Sequence, residues 1–169
     1  MRNKTAKWVA LYGMLISLAF IFSYIEAVIP IPIPVPGVKL GLANLVLIVG
    51  LYTVGISGTI AVSLVRIVLV GFTFGNLSSM IYSLAGGTVS LILMILLKKT
   101  GKFSQIGVSI IGGIGHNIGQ LTAAVLITET AGIFYYLPFL IVAGVIAGAV
   151  IGLLGGMVTD RIRNVEKWL

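Results

Sequence analysis

Arg66 lies in the middle of the apolar stretch Gly58 to Gly71 and is the residue with the most chemistry to explain. A guanidinium stays charged in any protein environment, and a charge at the centre of a helix in lipid costs roughly 2.5 to 3.5 kcal/mol even on lenient insertion scales. It must therefore face something other than lipid. On the stretch Ser104 to Thr128, His116 and Gln120 stand four residues apart on one helix face, with Asn117 alongside. Glu26, Asn44, Asn76, Ser78, Ser79 and Tyr82 fall nearer the ends of their apolar stretches. These residue types recognise a small molecule by charge and hydrogen bonding. The candidate substrate-binding set is Lys39, Asn44, Arg66, Asn76, Ser79, Tyr82, His116, Asn117 and Gln120. Two structural roles compete. His116, Asn117 and Gln120 would also serve as hydrogen-bond links between helices, at about 0.6 kcal/mol per contact, and Arg66 would also pair with Glu26.

Catalysis has little to work with. The chain holds four acidic residues, of which Asp160 is the only aspartate, so the paired Asp-rich clusters that hold Mg²⁺ against a diphosphate are missing. A single histidine without cysteine gives neither a zinc site nor a nucleophilic triad. No Gly-Lys-Ser/Thr loop exists to bind ATP. The expectation is a protein that is not an enzyme, with no cofactor and no metal, in which any pumping is powered by a partner.

The elements that position these residues follow from composition. Of 169 residues, 59% are hydrophobic and 9% charged, with a mean hydropathy of +1.18; soluble domains carry about 25% charged residues. The chain is an integral membrane protein, all-α and polytopic, with one domain over residues 1–169. At about 20 residues per crossing, six transmembrane helices are expected: Lys7 to Ile29, Leu40 to Ile56, Gly58 to Gly71, Asn76 to Leu97, Ser104 to Thr128 and Tyr135 to Val158. The first is read as a retained helix, its apolar run being longer than a secretory signal's and without a small-residue cleavage site.

Charge placement supports an even number of crossings, because short cytoplasmic segments accumulate Lys and Arg. With both termini cytoplasmic in the plasma membrane, the inside holds Arg2, Lys4, Lys7, Lys98, Lys99, Lys102, Arg161, Arg163 and Lys167, and the outside only Lys39. The net charge of +7 then reflects orientation and the lipid bilayer, not nucleic acid: no continuous basic face with interleaved aromatics is present.

Pro30-Ile31-Pro32-Ile33-Pro34-Val35-Pro36-Gly37 reads as a stiff, extended strap on the outer face, since alternating prolines fix φ and remove N–H donors. It is either a rigid connector or a lid over an outward pocket, with Lys39 pointing at an anionic group. Small residues recur at helical spacing. Ala6, Ala10 and Gly13 form a stripe on the first helix that is expected to meet a partner. Gly115, Gly119 and Ala123 on the fifth, and Gly144, Gly148, Gly152 and Gly156 on the sixth, are expected to pack inside the bundle.

The stretch Pro36-Gly37-Val38-Lys39-Leu40-Gly41-Leu42-Ala43-Asn44, the Arg66 span, Leu84-Ala85-Gly86-Gly87 and Gly115-His116-Asn117-Ile118-Gly119-Gln120 resemble the membrane family called heptaprenyl diphosphate synthase component I, also known as the Gx transporter family. The similarity runs over nearly the whole chain. That family in turn resembles the substrate-binding S components of energy-coupling factor (ECF) transporters, small six-helix vitamin binders. The resemblance implies an S-component-like bundle that binds a small anionic or amphipathic molecule, of the vitamin type or a quinone or isoprenoid precursor. It also implies a coupling transmembrane subunit and an ATPase module as partners, with Ala6 and Ala10 matching the Ala-xxx-Ala pattern of docking. The Asp-rich motifs of prenyl synthases are missing, so synthase activity does not carry over. The alternative is a non-catalytic membrane anchor or regulatory subunit of a prenyl diphosphate synthase or electron-transfer complex.

Overall fold

Turn chemistry divides this apolar chain into helices. A computed structural model describes residues 2–29 and 41–167. Its helices are α1 (Arg2–Val28), α2 (Asn44–Thr53), α3 (Gly55–Thr73), α4 (Leu77–Thr100), α5 (Gln105–Thr128) and α6 (Leu137–Lys167), with a 3-10 turn at Ala131–Tyr136. Helix α4 opens on a capping box, in which the Asn76 side chain accepts from the Ser79 N–H and the Ser79 hydroxyl accepts from the Asn76 N–H. It closes on Gly101 in the left-handed region. Ser104 caps α5 by accepting from the Gly107 N–H at 3.2 Å. Gly55, at φ +80°, breaks the chain between α2 and α3.

The bundle is all-α. Among the described residues five helices are long and apolar enough to cross a membrane, and α2, of ten residues, is shorter. The six expected helices are present and alternate in direction, with α2 shorter than the span expected for it. At 1.5 Å per residue α2 spans about 15 Å, half the hydrocarbon thickness. Left-handed Gly41 and Gly55 bound it in sequence, so the second element is shorter than Leu40 to Ile56 and α3 longer than Gly58 to Gly71. A half-length helix at membrane depth needs its ends covered by protein. Helix α2 is buried along most of its length and touches α1, α3, α4, α5 and α6.

The C-terminal end of α2 is closed by cations. Lys98 Nζ donates to the Leu51 carbonyl and sits over the Tyr52 ring, 4.7 Å from its centroid, and Arg163 Nη2 donates to the Tyr52 carbonyl at 3.2 Å. Positive charge at the negative end of a helix dipole is favourable. These bonds place the basic ends of α4 and α6 beside each other, at the end of α2 away from Asn44.

Glycines set the rest of the packing. A Cβ on Gly119 would lie 2.7 Å from the Ala85 carbonyl oxygen, and one on Gly113 would lie 2.6 Å from that of Gly144, so α5 presses backbone to backbone on α4 and on α6. Gly148 and Gly152 rest on Ile110 and Ile106 of α5. Gly156, expected to continue this stripe, has no other atom within 4 Å of its Cβ position. Helix α1 touches only α2 and α3 among the described elements, and Ala6, Ala10 and Gly13 are exposed.

Candidate polar centre

The first two elements meet through Glu26 and the head of α2. Glu26 lies near the end of α1, and one of its carboxylate oxygens accepts the N–H of Gly41 and, at 3.4 Å, that of Leu42. These amides precede the first turn of α2 and lack intrahelical partners, so a carboxylate there meets both unsatisfied donors and the positive end of the helix dipole. Gly41 holds φ +83°, and a Cβ on it would lie 2.7 Å from Asn44 Nδ2 and 3.2 Å from His116 Cδ2. Glycine is needed at this point for both conformation and space.

Arg66 enters the same centre from α3. It is 6% exposed, its Nη1 donates to the Ser23 hydroxyl at 3.3 Å, and the Glu26 carboxylate attracts it. Ser23 and Glu26, three apart on α1, present one face to it. The pairing with Glu26 anticipated from sequence is thus an electrostatic one shared with Ser23. Arg66 Nε and Nη2 are buried and have no hydrogen-bond partner. A buried guanidinium with two unanswered nitrogens is a costly arrangement, since each unsatisfied donor of a charged group forfeits its hydration. Asn44, 5% exposed, likewise has neither its Oδ1 nor its Nδ2 answered.

From α5, His116 and Gln120 close the opposite side. Both lie against Gly86 of α4, where a Cβ would come within 2.7 Å of Gln120 Cγ and 3.0 Å of His116 Nδ1. Arg66 and Ser23, Glu26 and Gly41, and Gly41 with Asn44 and His116 thus gather at one end of α2, with Gly86 and Gln120 beside His116.

The remaining candidates do not join this centre. Asn117 turns toward α6, where Nδ2 donates to the Leu140 carbonyl at 2.7 Å. Tyr82 packs in an apolar cluster with Leu121, Ala124 and Leu140. Asn76 and Ser79 commit their polar atoms to the α4 cap and to each other. Lys39 and the proline strap lie outside the described residues. Ser23 was missed in the sequence, although its spacing from Glu26 on one helix face was a usable signal. Gly41 and Gly86 were visible only as parts of longer motifs.

No group of three or more His, Asp or Glu residues that could hold a metal is found among the described residues. A hollow of about 180 Å³ lies between α3 and α4, lined by Ser63 and Ile67 of α3, by Gly87 and Thr88 of α4, and otherwise by aliphatic side chains. Ser63 precedes Arg66 by three residues and shares its helix face.

A bundle of membrane-length helices around a buried polar centre defines a polytopic membrane protein with a half-length helix at its core. The chain matches the family described as heptaprenyl diphosphate synthase component I over residues 15–158, and it belongs to that family. No curated protein and no solved structure matches it.

Proposed function

We propose that this chain is a non-catalytic substrate-binding membrane subunit of an uptake transporter, comparable to the S components of ECF systems, set in the plasma membrane with both termini cytoplasmic. The observation that carries this reading is Arg66: a buried cation, oriented by Ser23 and Glu26, with Nε and Nη2 unanswered within the protein. Such groups are retained where they do something. Short helices whose N-termini face a charged site recur at transporter binding sites, and the N-terminal amides preceding α2 meet the Glu26 carboxylate. The guest is a small amphipathic molecule, bound by Arg66 and Asn44 with His116 and Gln120 as the far wall. A coupling subunit docks on the exposed Ala6, Ala10 and Gly13 stripe, and an ATPase module supplies the energy that this chain has no motif to extract.

A second reading is favoured by the family's description as one component of a synthase. In it the chain anchors or regulates a prenyl-transferring partner, and Arg66 with Glu26 holds the bundle together. Mass spectrometry of the small molecules released from protein purified in gentle detergent separates the two. The binding reading expects one species from wild type that is lost from a folded Arg66→Ala variant. Repeated absence of any small molecule, with Arg66→Ala only lowering the melting temperature, supports the anchor.

A further inference from the structure

We propose, resting on the binding reading above, that the Arg66 centre selects an uncharged molecule: a head with two adjacent hydrogen-bond acceptors on one edge, and an apolar body. The Arg66 guanidinium carries three nitrogens. Nη1 is committed to Ser23, which leaves Nε and Nη2. These two form one side of the rigid guanidinium fork and donate in parallel. Two parallel donors match two neighbouring acceptors, and the match does not require charge: arginine reads a neutral purine edge in this bidentate way.

Charge balance then decides between an anion and a neutral edge. Glu26 already supplies the counter-charge to Arg66, and its carboxylate is itself held by the Gly41 and Leu42 amides at the head of α2. Among the described residues of this centre, the one positive side chain and the one positive helix end are both served by a single carboxylate. His116, the other titratable group at Gly41, adds no fixed charge of its own when neutral. An incoming anion would have to sit beside Glu26 in a weakly screening interior, or else displace it from the Gly41 and Leu42 amides. A neutral double acceptor does neither. It answers Nε and Nη2 and leaves the charge pair intact.

Asn44 narrows the class further. Its amide offers a donor and an acceptor, both buried and unanswered, next to Gly41. A head that carries a donor as well as its acceptors, as an amide-containing heterocycle does, satisfies both residues. The largely aliphatic hollow between α3 and α4, which reaches Ser63 and Ile67 on either side of Arg66 in the sequence, suits the apolar remainder.

The test compares wild type with Glu26→Gln, each purified in gentle detergent. Retained small molecules are identified by mass spectrometry, and melting is followed against added sodium benzoate. The molecule released from wild type is expected to carry no net charge at neutral pH. Benzoate is expected to raise the melting temperature of Glu26→Gln and leave wild type unmoved, because only the variant has an uncompensated guanidinium. A carboxylate or phosphate ester released from wild type, or benzoate stabilising wild type as much as the variant, overturns this inference and leaves the binding reading standing. Wild type that releases no small molecule overturns the binding reading and this one with it. Should Glu26→Gln fail to fold, the charge of the wild-type molecule decides alone.

Discussion

The Glu26 carboxylate accepts the backbone N–H of Gly41, and this bond ties the end of α1 to the head of α2. It brings a carboxylate to the positive end of a half-length helix and leaves that same carboxylate within electrostatic reach of Arg66. A side chain fixed for one purpose thereby orients the group that gives the centre its chemistry.

Gly41 and Gly55 share a left-handed backbone but not their surroundings. A Cβ at Gly41 meets Asn44 and His116, whereas at Gly55 nothing lies within 4 Å. Gly55→Ala is expected to cost only the conformational penalty, about 1–2 kcal/mol. Gly41→Ala adds overpacking of about 1–3 kcal/mol and abolishes small-molecule retention. Thermal melting of both variants, with mass spectrometry of their extracts, checks the difference.

Gly119 and Gly13 make a second contrasting pair. The Gly119 Cβ position is 2.7 Å from the Ala85 carbonyl oxygen, so Gly119→Ala should destabilise by about 1–3 kcal/mol as α4 and α5 are pushed apart. Gly13 is exposed with nothing within 4 Å, and Gly13→Leu should leave melting within about 0.5 kcal/mol of wild type. If the α1 stripe is a docking face, Gly13→Leu instead lowers recovery of the coupling subunit in co-purification.

Lys98 and Arg163 both donate to carbonyls at the C-terminal end of α2. Replacing either by methionine keeps the apolar stem and removes the charge. Each should cost about 0.3–1 kcal/mol, and up to about 2 where the contact is partly buried. The double variant is expected to fray α2 from this end, seen as faster amide exchange at Leu51 and Tyr52 than in either single variant.

How much of this was legible in the sequence depended on the kind of signal. The long helices and the importance of Arg66 followed from hydropathy and from the cost of charge in lipid. The length of α2 did not, because an apolar run does not reveal that Gly41 and Gly55 turn left-handed and confine it to ten residues. Helical spacing correctly put His116 and Gln120 together, but it could not tell that Asn117 faces α6 rather than the centre. Asn76 and Ser79 were read as ligands because they are polar near a span end, yet that is also where a helix needs its cap.

The chain contains no cysteine, so single introduced cysteines report topology cleanly. Lys7→Cys, Lys102→Cys and Arg163→Cys should react with an impermeant maleimide only when the cytoplasmic face is opened. Glu129→Cys, between α5 and α6, should react in intact cells. Labelling of Lys7 and Arg163 from opposite sides would contradict the arrangement.

The most direct test of the central claim is a double-mutant cycle on Arg66 and Glu26, with melting and small-molecule retention read on the same samples. Arg66→Ala alone leaves the Glu26 carboxylate buried without its counter-charge and should cost about 3–5 kcal/mol. Arg66→Ala with Glu26→Gln removes both charges, keeps a side-chain oxygen that can accept the Gly41 N–H, and should recover much of that loss while retaining no small molecule. A double variant that regains its stability and still carries the wild-type molecule would show that Arg66 serves the bundle and not a guest.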